Sequence, residues 1–97
     1  MFRTQIEKFL VGENIATSVI REKGNGSAHY VLLRISLFGK DSFAICVLDN
    51  EYALESVGDD AKYAMSLFEL IVKEAALPSQ LFDIITDQRR EKELEEL

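Results

Sequence analysis

Short apolar segments separated by turn residues fill the first half of the chain, which is typical of β-strands. Ile15 to Glu22 is rich in β-branched residues, and His29 to Phe38 is the most strongly apolar segment. Ser42 to Asp49 and the shorter Tyr52 to Val57 follow the same pattern. Glycine-containing turns after residues 23 and 37 separate the first three segments. We predict an antiparallel meander of three to five strands.

The two faces of the predicted strand His29 to Phe38 differ in character. One face is wholly aliphatic and consists of Val31, Leu33, Ile35 and Leu37. The other face is mixed and consists of Ser36 and four large side chains, Tyr30, Leu32, Arg34 and Phe38. We expect the aliphatic face to pack against helices, and the mixed face to form the outer surface of the sheet. Because aromatic residues and arginine are enriched at interfaces, the mixed face is the candidate interaction surface. The alternative is that residues 2–11 fold over it.

The second half of the chain has helical periodicity. Asp59 is a suitable N-cap for a helix that runs to about Ala76 with a wide apolar stripe. Pro78 then interrupts the chain, and a second helix is expected from about Ser79. Residues 89–97 are either a solvated helical extension or frayed. The sequence thus predicts one α+β domain over residues 1–97, mainly β over 1–57 and helical over 59–97, with both helices on one face of the sheet.

Residues 2–11 fit two patterns. Phe2, Ile6, Phe9 and Leu10 have helical spacing, whereas Phe2, Ile6 and Leu10 also belong to an alternating pattern. Because strands follow this segment, we favour a strand.

Composition limits the possible functions. The 97 residues suit one domain, and 47% of them are hydrophobic. The chain shows no signal-peptide pattern and no membrane-spanning apolar segment, so we expect a cytoplasmic protein without a membrane partner. The net charge is −6, and residues 59–97 carry ten acidic and five basic side chains. Nucleic-acid binding is disfavoured because phosphate contacts require a basic surface.

Candidate catalytic groups are few. Cys46 is the single cysteine and His29 the single histidine. Cys46 lies within an apolar segment, which is typical of a core residue, although a thiolate paired with His29 is the alternative. In the predicted hairpin the two residues would be near each other but poorly aligned. We therefore expect no catalytic residue, no metal site and no cofactor.

Asp83 and Asp87 are the main alternative to a purely structural role for the second helix. Their spacing of four residues places both carboxylates on one helix face. Such a pair could support a small-ligand or divalent-metal-dependent activity. A solvated acidic face is the simpler interpretation, since no histidine accompanies them.

Several segments between residues 30 and 87 follow the order of a known pattern. The most specific part is the closing helix, with Pro78, Leu81, Asp83, Ile84 and Asp87. It is preceded by the Tyr30 strand, the Ala44-Ile45 strand and the acidic helix start at Asp59 and Asp60. This order resembles an uncharacterised family of small proteins from Gram-positive anaerobic bacteria, in which glycine is frequent at the position of Ala44. The resemblance implies an α+β fold and adds no activity.

The sequence therefore leads to a functional hypothesis by exclusion. We expect a non-catalytic cytoplasmic module that binds a protein partner or forms a homodimer. The interaction surface predicted for it is the mixed sheet face.

Overall fold

A computed structural model describes residues 15–95 of the chain, and the side chains of residues 17–91. The fold is α+β. Four strands come first: β1 (Ile15–Asn25), β2 (Ala28–Leu37), β3 (Lys40–Leu48) and β4 (Tyr52–Gly58). Helix α1 (Ala61–Lys73), a 3₁₀ turn (Pro78–Gln80) and helix α2 (Leu81–Glu95) follow. The predicted strand over residues 2–11 lies outside the described residues.

The sheet is an antiparallel meander in the order β1-β2-β3-β4, as predicted. Two-residue turns join the first three strands, and Gly26 and Gly39 have φ values of 66° and 78° there. Positive φ costs glycine little, which explains these turns. Bulges interrupt the register between Val19 and Arg21 of β1 and near Phe43 of β3.

Helix α1 begins one residue later than predicted. Asp60, rather than Asp59, is the N-cap, and its carboxylate accepts a 3.1 Å hydrogen bond from the backbone N–H of Tyr63. The helix also ends at Lys73, three residues before the predicted end at Ala76. The backbone N–H groups of Ala75 and Ala76 then bond to the carbonyls of Val72 and Ile71, which closes the helix in a Schellman motif. Helix α2 continues to Glu95, so residues 89–95 are helical.

The main core lies between the sheet and the two helices. Strands β2 and β3 contribute Tyr30, Leu32, Phe43, Ile45 and Val47 to it, and the helices contribute Ala64, Leu67, Phe68, Ile71, Leu81 and Ile85. Outside this core, Arg21 and Lys23 of β1 form ion pairs of 2.9 and 2.8 Å with Glu69 of α1. The asparagine side chain of Asn25 donates a 2.9 Å hydrogen bond to the Val72 carbonyl. The edge strand β1 is thus also attached to the helical layer.

The opposite side of the sheet carries a second apolar cluster, which we call the second face. It consists of Val19, Val31, Leu33, Cys46, Leu48 and Leu54. The predicted assignment of the two faces of β2 is therefore wrong. The Tyr30 and Leu32 side faces the helices, and the Val31 and Leu33 side faces away from them.

Candidate functional site

The four residues of the predicted interaction surface do not share one accessible surface. Tyr30 and Leu32 are fully buried under the helices. The Tyr30 hydroxyl is accommodated there because it donates a 2.9 Å hydrogen bond to the carbonyl oxygen of Ala76. Neither side chain can contact a partner while the helices remain packed on the sheet.

Arg34 and Phe38 are exposed near the tip of the β2–β3 hairpin. Phe38 is 76% exposed and has a φ of 52°, a conformation that bulky residues rarely adopt. The adjacent Leu37 is also 42% exposed. The hairpin tip is thus a small apolar protrusion, and its part in an interaction stays a prediction.

Cys46 and His29 are not arranged as a nucleophile and base. Cys46 pairs with Val31 in the sheet, whereas His29 pairs with Leu48, two residues further along the hairpin. Cys46 is only 1% exposed, and burial raises the pKa of its thiol to about 11. His29 lies on the exposed end of the strand. A thiol that stays protonated at neutral pH is a poor nucleophile, so this geometry opposes thiol catalysis.

A groove lies between α1 and α2, and Asp83 and Asp87, which the sequence singled out, are among its lining residues. It consists of two adjoining cavities of about 490 and 370 Å³, which share Leu70 and Gln88. Helix α1 forms one wall of the groove with Tyr63, Leu67 and Leu70, which helical spacing places on one stripe. Ile84 extends the apolar floor from the side of α2. We call this concavity the interhelical groove.

Carboxylates surround the apolar floor of the interhelical groove. Five acidic residues line it: Asp60, Glu74, Asp83, Asp87 and Glu91. No lysine or arginine is among its lining residues in the described part of the chain. The described ion pairs involve Glu69, which lies outside the groove. The groove therefore combines an apolar floor with a rim of carboxylates.

The carboxylates of the groove are not gathered into a metal site. Within residues 15–95, no group of three histidine, cysteine, aspartate or glutamate residues is placed to hold a metal ion. The five carboxylates instead extend along the groove, from Asp60 before α1 to Glu74 after it. This spread suits an elongated cationic ligand better than a single ion.

The sequence revealed part of this groove and missed the rest. The spacing of Asp83 and Asp87 placed both on one face of α2, which the structure brings to the groove. Glu74, Glu91 and the apolar floor were not identified as parts of one site. The wide apolar stripe of α1 was the available signal, because Tyr63, Leu67 and Leu70 extend beyond the face needed to cover the sheet.

Comparison with protein-family models, with curated proteins and with solved structures finds no match to this chain. The resemblance to a family from Gram-positive anaerobic bacteria thus stays a prediction. In the described part of the chain, no helix is long and apolar enough to cross a membrane.

Proposed function

We propose that this chain is a non-catalytic binding module whose interhelical groove receives a basic, amphipathic segment of a partner protein. The observation that carries the proposal is the groove's composition: an apolar floor at Leu67, Leu70 and Ile84, five carboxylates, and no basic lining residue. Amphipathic helices commonly bind in such grooves, with apolar anchors on the floor and charged residues at the rim.

The dimensions of the groove support a helical segment as the ligand. Helix α1 has 13 residues, so it is about 19 Å long at 1.5 Å per residue. A partner helix of about a dozen residues would match that length. Lysine or arginine side chains flanking its apolar stripe could reach Asp83 and Asp87 on one side and Asp60 or Glu74 on the other.

The charge of the groove also supports a protein ligand over a nucleic acid. Five carboxylates around one concavity would repel phosphate groups, which dominate the affinity of nucleic-acid binders. The burial of Cys46, which raises the pKa of its thiol to about 11, also supports a role without thiol catalysis.

The test uses a fluorescein-labelled peptide of 14 residues, with leucines at helical spacing and lysines elsewhere, measured by fluorescence anisotropy. The protein variant is Asp83→Asn/Asp87→Asn, which removes two charges from the groove. The matched control is Asp41→Asn/Glu51→Gln, which removes two charges from exposed positions, one at the start of β3 and one in the connection between β3 and β4. A scrambled peptide of the same composition tests whether the apolar stripe matters.

We expect the groove variant to weaken binding at least tenfold, and the control variant to change it less than twofold. Rising salt should weaken binding of the original chain more than that of the groove variant. Absence of binding, equal losses in both variants, or equal affinity for the scrambled peptide would refute the proposal. In the last two cases the attraction would come from the net charge of the whole chain.

A further inference from the structure

The β2–β3 hairpin ends in an exposed apolar tip, residues 37–40, which extends past strand β4. Gly58, the last residue of β4, pairs with Phe43, and the β2–β3 ladder continues from there to the pair of Leu37 and Lys40. Phe38 at the tip is 76% exposed, and Leu37 is 42% exposed. Both apolar side chains are therefore available for contact with another molecule.

The backbone of the hairpin tip adds a second observation. Phe38 has a φ of 52°, a left-handed conformation that bulky residues rarely adopt. Packing does not compensate for this strain, since most of the phenyl ring lies in solvent. Backbone strain of this kind is concentrated at functional sites. Strain and exposure at one residue favour a contact that Phe38 makes outside its own chain.

The charge around the hairpin tip is basic. Arg34 and Lys40 are exposed, and Asp41 is the one acidic residue between positions 34 and 43. Lys40 is opposite Leu37 in the ladder, so the two side chains lie on the same side of the hairpin. The tip thus combines apolar side chains with flanking positive charge, which is the chemistry that suits the interhelical groove.

One part of the interhelical groove complements the hairpin tip. Its cavity of about 490 Å³ has two half-buried apolar lining residues, Leu70 and Ile84, and three exposed carboxylates, Glu74, Asp83 and Asp87. We call it the Asp83 cavity. It offers apolar surface to a phenyl ring and negative charge to basic side chains beside that ring.

The Asp83 cavity and the hairpin tip lie at opposite ends of the molecule. Glu74 and Gln80 of the cavity flank Ala76, whose carbonyl oxygen accepts the hydrogen bond from Tyr30. Tyr30 is the third residue of β2, whereas the tip begins at its last residue, Leu37. The strand from position 30 to position 37 spans about 23 Å at 3.3 Å per residue. A chain therefore cannot place the tip in its own Asp83 cavity.

We propose that the hairpin tip of one copy of this chain binds the Asp83 cavity of a second copy, with Phe38 on the apolar lining and Lys40 beside the carboxylates. The inference rests on the proposed function, because the cavity belongs to the groove assigned to a basic partner segment. The tip is narrow enough to enter, since its two strands are about 4.8 Å apart and a helix is about 10 Å wide. Self-association therefore competes with the partner segment for the groove.

The position of the two surfaces determines the form of the assembly. Because the hairpin tip and the Asp83 cavity are different surfaces at opposite ends, the contact joins copies head to tail and does not close at two copies. Each copy keeps one unused tip or cavity at either end of the assembly. This property allows a test in which the two surfaces are blocked separately.

Sedimentation velocity at rising protein concentration and low salt measures the self-association. Phe38→Asn removes the ring but keeps a residue suited to positive φ, so it blocks the tip alone. Asp83→Asn/Asp87→Asn blocks the cavity alone. Phe82→Asn is the matched control, because Phe82 is 59% exposed and does not line the groove. A further sample mixes the two blocked variants, which leaves one intact tip and one intact cavity.

We expect the original chain to form dimers and longer oligomers as its concentration rises. Each blocked variant alone should self-associate at least tenfold more weakly, whereas Phe82→Asn should change the association less than twofold. The mixture of the two blocked variants should form a one-to-one dimer and no larger species, because only one contact remains possible between them.

Three results would overturn the inference: an original chain that stays monomeric, a mixture that does not associate, or an equal loss in Phe82→Asn. Full association of the cavity variant would also overturn it, since the tips would then bind each other. The labelled peptide separates this inference from the proposed function. A peptide that binds a strictly monomeric chain refutes self-association alone, whereas a peptide that fails to bind refutes the proposed function.

Discussion

The hydroxyl of Tyr30 on β2 donates a 2.9 Å hydrogen bond to the carbonyl oxygen of Ala76, just after α1, and both residues are buried. The backbone N–H of Ala76 bonds in turn to the carbonyl of Ile71, at 3.2 Å. The centre of the sheet is thus connected directly to the motif that ends the first helix.

Replacing Tyr30 with phenylalanine should test the strength of this connection. The variant keeps the ring in the core but leaves the Ala76 carbonyl without its buried donor. We expect the free energy of unfolding to fall by about 1–2 kcal/mol, which is the usual cost of such a group. Urea unfolding measures the change. Tyr52→Phe is the control, since Tyr52 is half-exposed and should change stability by less than about 0.5 kcal/mol. Equal losses of stability in the two variants would show that the buried hydrogen bond of Tyr30 contributes no more than the hydroxyl of an exposed tyrosine.

The end of α1 contains a residue that is poorly suited to its backbone conformation. Ala75 has a φ of 50°, where glycine is favoured because it lacks a Cβ atom. We expect Ala75→Gly to raise the free energy of unfolding by roughly 0.5–1 kcal/mol, because relief of the left-handed strain exceeds the entropic cost of glycine. Ala76→Gly is the control: it is buried and is not among the positive-φ residues, so it should lower stability. Thermal unfolding of both variants distinguishes the two effects.

The tip of the β2–β3 hairpin also contains a residue that is poorly suited to its backbone conformation. Phe38 and Gly39 both have positive φ, as in a type I′ turn, where Asn-Gly is the preferred pair. Phe38→Asn should therefore raise stability by about 1 kcal/mol, since the phenyl ring is largely exposed and little packing is lost. Phe38→Val should lower it, because a β-branched residue tolerates positive φ least. A gain of stability in Phe38→Val would contradict the explanation that the positive φ at this position determines the effect.

The sequence predicted the order of the elements well because turns and periodicity are local properties. Glycines at positions 26 and 39 marked both hairpin turns, and Pro78 marked the break between the helices. The resulting register pairs His29 with Leu48, which is the register of a hairpin whose two-residue turn is Phe38 and Gly39.

The sequence could not decide which face of β2 would meet the helices. Both faces carry large apolar residues, so the pattern was ambiguous. Tyr30 was assigned to the outside because it shares a mixed face with Arg34, but the carbonyl of Ala76 accepts a hydrogen bond from its hydroxyl inside the core. That partner is 46 residues away along the chain. The interhelical groove was hidden for the same reason, since Leu70 and Asp87 meet only through the packing of α1 against α2.

The two groove aspartates should limit stability while supporting binding. Asp83 and Asp87 repel each other at i, i+4 and have no described basic partner. We expect Asp83→Asn/Asp87→Asn to leave the free energy of unfolding unchanged, or to raise it by up to about 0.5 kcal/mol, while it weakens binding of the basic peptide. Urea unfolding at 50 and 500 mM salt measures this, and any gain should shrink at high salt. A marked loss of stability would instead indicate that both carboxylates have structural partners.

Burial of Cys46 should make the fold sensitive to alkaline pH. The pKa of its thiol is raised by desolvation from an ordinary value near 9 to about 11. Between these values the unfolded chain releases the thiol proton and the folded chain keeps it, so the unfolded state gains stability as pH rises. The stability that depends on the protonated thiol is therefore fully present below pH 9 and is lost by about pH 11. The pKa difference of two units corresponds to about 2–3 kcal/mol of unfolding free energy. Cys46→Ala removes this term, so its unfolding free energy should fall less between pH 8.5 and 11 than that of the original chain. Tyr30 makes a second contribution, because burial and then Asp49 raise the pKa of its hydroxyl. This contribution lowers the unfolding free energy further only above pH 10, so Tyr30→Phe should reduce the pH dependence of the unfolding free energy only in that range. Parallel pH profiles for Cys46→Ala and the original chain would mean that the thiol ionises equally in both states, and that the second face is open to water.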